Sequence, residues 1–82
     1  MDNDDKLIGK FILTTRAFCD YKNHLPNRRI DDIWYEGEEL QITRLFNAEY
    51  IVVTYTGEPS FNTLCPLEFI PEMINRYDNT KS

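Results

Sequence analysis

The sequence predicts a mostly β fold, a single small five-stranded barrel, and three observations carry that expectation. Apolar and polar residues alternate at period two in several short segments. Turn-forming residues fall between those segments. No apolar stripe of helical period is read over ten residues or more. A chain of 82 residues makes one domain, since chains divide only beyond roughly 250 residues. Residues 7–77 are expected to form it, with flexible polar tails at 1–6 and 78–82.

The first strand is read from Leu7 to Cys19. Phe11, Leu13, Thr15, Ala17 and Cys19 share one face at period two, and Lys10, Thr14 and Arg16 the other. From Asp20 to Asp32 the alternation stops, and Asn23, Pro26 and Asn27 mark a long loop. Glu38 to Phe46 alternates again, with Leu40 and Ile42 inward and Glu39, Gln41 and Thr43 outward. Asn47-Ala48 turns the chain into Tyr50–Tyr55, the segment richest in aromatic and β-branched residues. Gly57, Pro59 and Ser60 turn it once more into Phe61–Cys65, which Pro66 ends because proline cannot donate to a ladder. Leu67 to Ile70 is expected to lead tightly into a short fifth strand. Pro71 could open one helical turn through Met73 and Tyr77.

Composition excludes several function classes. A net charge of −5 weighs against nucleic acid, whose phosphates need a basic surface. Asp31, Asp32, Glu36, Glu38 and Glu39 crowd into nine residues, while Lys22, His24, Arg28 and Arg29 form a basic stretch before them. Two cysteines without a CxxC pair, and one histidine, do not suit a zinc site. The three scattered glycines make no phosphate cradle, so neither a metal nor another cofactor is expected. Paired acids occur, but no nucleophile, base and oxyanion donors accompany them, so no enzyme is expected. The start Met-Asp-Asn-Asp-Asp lacks the basic and apolar regions of a signal peptide. No apolar run approaches the roughly 20 residues needed to cross a bilayer, so a cytoplasmic protein with reduced thiols is expected.

Four stretches, in order, resemble the Src-homology-3 domain and its small-barrel relatives. Ala17-Phe18-Cys19-Asp20-Tyr21 is similar to that family's Ala-Leu-Tyr-Asp-Tyr motif. Trp34 to Ile42 resembles its aromatic, glycine, acid and alternating apolar pattern. Tyr50-Ile51 stands where the family has a Trp-Trp pair, and Leu64-Cys65-Pro66-Leu67-Glu68-Phe69-Ile70 resembles its closing Tyr-Ile-Pro-Ser-Asn-Tyr-Val. The resemblance covers about residues 10–70. It implies a barrel and a groove lined by Tyr21, Tyr50, Pro66 and Phe69. Cys19 and Tyr50 depart from the family's tyrosine and tryptophan, and Phe69 lacks the closing tyrosine's hydroxyl. Those departures leave the partner class open instead of assigning it to proline-rich peptides.

Trp34 and Tyr35 are adjacent and cannot both point inward, and alternation sends Tyr50 to the face opposite Ile51 and Val53. Exposed aromatics of this kind make binding hot spots. With Glu38 and Glu39 as an acidic rim, the expectation is a non-enzymatic adaptor, regulator or inhibitor that binds the basic surface of another protein through exposed aromatics. The alternatives are a nucleic-acid-associated barrel resting on Lys22, Arg28, Arg29 and Arg44, a structural subunit of a larger assembly, or a virus-encoded inhibitor of a host protein.

Overall fold

Tyr50–Tyr55 carries three β-branched aliphatic residues between two tyrosines, and it forms a central strand, β3, of an antiparallel sheet. The computed structural model describes residues 5–26 and 33–81. Within them the strands β1 (Phe11–Leu13), β2 (Glu39–Leu45), β3 and β4 (Asn62–Pro66) lie in the order of the chain, as an open four-stranded meander. Helix α1 (Arg16–Asn23) connects β1 to β2. A 3-10 turn over Leu67–Phe69 leads from β4 into helix α2 (Ile70–Lys81).

Register explains where the core sits. Ile12 pairs with Leu40, Leu40 with Tyr55, Ile42 with Val53, and Ile51 with Cys65. Paired residues share a face, so one side of the sheet is lined by side chains of which Ile12, Leu40, Ile42, Ile51, Val53 and Cys65 are wholly buried. A bulge between Ile42 and Arg44 absorbs Thr43 and restores the phase beyond it. Phe18 and Cys19 from α1, and Ile70 and Met73 from α2, cover this face. Thr14 is buried and ties the β1–α1 corner to the β2 entry. Its hydroxyl donates to the Tyr35 carbonyl at 2.6 Å and accepts from the Glu38 amide at 2.9 Å.

The five-stranded closed barrel is therefore overturned by an open sheet of four strands with two helices. Two segments are responsible. The strand read from Leu7 to Cys19 ends at Leu13, because Thr15 caps a helix and its hydroxyl accepts from the Phe18 amide. The period-two reading of this stretch also gives the wrong phase, since Ile12 is fully buried and Phe11 is 37% exposed. At the other end, no fifth strand follows the 3-10 turn among the described residues. Ile70, Met73, Ile74 and Tyr77 recur at helical spacing, and the first two are buried against the core. Phe11 stacks on Tyr77 at 5.7 Å, which seats α2 against β1. The helix continues through residues 78–81, read from the sequence as a tail. Asp31, Asp32, Arg28 and Arg29 lie outside the described residues.

No helix among the described residues is long and apolar enough to cross a membrane.

Candidate partner-binding groove

Tyr50 opens β3 and faces away from Ile51, so its ring leaves the core. Pro66 stands directly opposite it in register on β4. The Glu49 carbonyl accepts from the Leu67 amide at 2.9 Å, so alternation puts Pro66 at a position whose missing N–H costs the ladder nothing. From above, α1 lowers Tyr21 onto this pair. The Tyr21 ring meets the edge of Phe69 at 5.6 Å, and Phe69 meets Phe18 at 6.4 Å, which anchors the wall to the core. Hydrogen bonding to the Tyr50 phenol, then burial, raises the Tyr21 phenol above its ordinary pKa.

Two concavities open on either side of the Tyr21–Tyr50 pair. One, of about 370 Å³, has Pro66 and Leu67 at its base and the carboxylates of Glu49 and Glu68 at its rim. The other, of about 560 Å³, is walled by Leu25 and Leu64 with Lys22 and Thr63. Because both tyrosines line both spaces, they form two lobes of one groove.

The structure thus brings together Tyr21, Tyr50 and Pro66, with Phe69 behind them as support. Trp34, Tyr35, Glu38 and Glu39 belong elsewhere. Leu40 pairs with Tyr55, so the start of β2 lies at the opposite end of β3 from Tyr50, roughly 16 Å away at the usual strand rise. Trp34 is core, only 8% exposed, stacked on Tyr55 at 5.3 Å and edge-on to Phe18 at 5.2 Å. Tyr35 is 62% exposed beside it. Glu38 accepts a hydrogen bond from the Tyr55 hydroxyl, and Glu39 is half-buried in β2. Burial, and then that bond to Glu38, raises the Tyr55 pKa well above its ordinary value. The acidic rim of the groove is Glu49 and Glu68, which sequence reasoning passed over. Their only signal was adjacency, Glu49 before Tyr50 and Glu68 two residues after Pro66. Lys22 was read only as part of a basic loop, because a loop was expected from Asp20 onward, where the second half of α1 stands.

Among the described residues, no group of three or more His, Cys, Asp or Glu is placed to hold a metal ion. Cys19 and Cys65 are both free and both buried. Burial raises the Cys65 thiol to about 12 and, less strongly, raises Cys19 from 9.0. The sign of the consequence is fixed. Above pH 9 the unfolded thiols lose protons that the folded ones keep, so the unfolded state gains and stability falls as pH rises. The Tyr21 and Tyr55 phenols add to the loss above pH 10. Urea midpoints should be flat from pH 6 to 8 and drop between pH 9 and 11, and Cys65→Ser should soften that drop.

No family model matches the chain, and no curated protein or solved structure matches it either.

Proposed function

We propose that the protein is a non-enzymatic interaction module, an adaptor, regulator or inhibitor, whose groove takes a basic segment of another protein. The observation that carries this reading is the placing of Glu49 and Glu68 on the rim of a lobe walled by Tyr21, Tyr50 and Pro66. A lysine or arginine entering there would meet two carboxylates, and its methylene stem would lie along the rings and the proline. The net charge of −5 extends the attraction beyond contact and favours a cationic partner during encounter. The same charge opposes nucleic acid. Free, buried thiols suit a reducing compartment, which supports a cytoplasmic setting.

Charge reversal at the rim tests this. Glu49→Lys with Glu68→Lys should slow association with a basic peptide by roughly tenfold or more at low salt, and should flatten the salt dependence. Both side chains are exposed, so thermal stability should stay within roughly 0.5 kcal/mol of the parent. Stopped-flow fluorescence at low and high salt reads both quantities. An unchanged association rate would mean that these carboxylates only solvate the surface.

A further inference from the structure

Lys22 sits in the second lobe and is not accounted for by a basic ligand. Its Nζ donates to the Thr63 hydroxyl at 2.6 Å and approaches the Leu64 carbonyl at 3.4 Å. It also lies 5.7 Å from the centre of the Trp34 ring. An ammonium carries three donors, and these contacts use two. No carboxylate among the described residues pairs with it. A half-buried cation with no such counterion is costly, so its third donor favours an anion from outside. Its setting is the free edge of the sheet. Pairing of Glu49 with Leu67 turns the Leu64 carbonyl away from β3, toward the groove. Burial lowers the Lys22 pKa below the ordinary lysine value, and an incoming carboxylate would restore it.

We propose that the second lobe receives the free C-terminal carboxylate of the bound segment on Lys22, with the segment's last, apolar side chain between Leu25 and Leu64. This rests on the peptide-binding reading above and gives the ligand a direction. The walls beside Lys22 are apolar, which suits a residue carrying both an apolar side chain and a main-chain carboxylate. An internal Asp or Glu would leave those walls unfilled. A phosphate dianion is disfavoured, since one cation faces it while Glu49 and Glu68 rim the same groove. Leu64 and Pro66 are two positions apart in β4, roughly 7 Å at the usual strand rise, and Glu68 lies two positions further in the 3-10 turn, where a rise of about 2 Å per residue brings the path to roughly 11 Å. The ligand's basic residue should therefore stand two to four positions before its C-terminus.

Fluorescence anisotropy with labelled hexapeptides tests the proposal. Each peptide ends in an apolar residue and carries one lysine or arginine two, three or four positions earlier. Every one is made as the free acid, as the amide, and as an amide with an internal aspartate. The free acid should bind roughly 10- to 100-fold more tightly than the amide, the usual range for a hydrogen-bonded charge. Lys22→Met keeps an apolar stem and should erase that difference. If it does not fold, the acid-to-amide ratio on the parent protein still decides. Equal binding of acid and amide overturns the proposal, as does an internal aspartate that replaces the terminal carboxylate. Should Glu49→Lys with Glu68→Lys still weaken those equal peptides, the basic-segment reading survives and only the terminal site falls. Binding by none of the peptides overturns both.

Discussion

Val53→Asp is expected to abolish folding, whereas Tyr50→Ala, three residues away on the same strand, is expected to leave the domain folded. Val53 is wholly buried in the central strand and pairs with Ile42 and Thr63 on the core side. A lone carboxylate there costs several kcal/mol, or must take up a proton and remain an unsatisfied polar group. The whole stability of a domain this size is only roughly 4–12 kcal/mol. Tyr50 faces the groove and is half-buried, so its truncation removes contact area without opening the core. Circular dichroism and thermal melts separate the two variants. Tyr50→Ala, still folded, should lose partner affinity by the roughly 1–2 kcal/mol or more typical of an aromatic hot spot. Equal destabilisation by both would make Tyr50 part of the core.

Removal of residues 70–82 should also unfold the protein, while removal of 78–82 should not. Ile70 and Met73 are wholly buried under the sheet, and Ile74 and Tyr77 pack partly against it. Burial of two large apolar side chains is worth roughly 3–6 kcal/mol, much of what so small a domain has. Residues 78–80 are exposed and bury nothing, so only a few tenths of a kcal/mol are at stake in the last turn. Met73→Ala offers the graded version, with an expected loss of about 2–5 kcal/mol in urea titration.

β2 was legible because it buries one face and shows it at period two, and β3 and β4 because short runs rich in aromatic and β-branched residues stand between turn formers. Leu40 and Ile42 alternate with polar neighbours, and Tyr50–Tyr55 is bounded on both sides by turn residues. The first helix was not legible and the second was read only as a single turn, for two different reasons. Over Thr14 to Cys19 the apolar residues suit either period, and the deciding fact is a hydroxyl that caps its own chain three residues on. In α2 only the start was read, one helical turn opened by Pro71 through Met73 and Tyr77, and a resemblance to a closing strand up to Ile70 hid the full stripe of Ile70, Met73, Ile74 and Tyr77. Proline is tolerated in a helix's first turn, so Pro71 did not forbid the helix that followed.

The groove was legible only in its aromatic part. Tyr21, Tyr50 and Pro66 meet through register and helix placement, although they come from three separate segments. Glu38 and Glu39 drew attention by crowding in sequence, yet β2 carries them to the far end of β3. Local density of charge says nothing about which end of a strand that charge will occupy. Trp34 and Tyr35 were both offered as partner-binding aromatics on the ground that they cannot both point inward, and it is the Trp34 ring that turns in, filling the space between Phe18 and Tyr55.

A titration of the isotope-labelled protein with a basic peptide, followed by two-dimensional amide NMR, tests the central claim most directly. Shifts should concentrate at Tyr21, Lys22, Glu49, Tyr50, Leu67 and Glu68, should weaken at high salt, and should leave Tyr35, Glu38 and Gly57 still. Shifts gathered instead around Tyr35, Tyr55 and Glu58, with the Tyr21–Tyr50 groove unmoved, would contradict it.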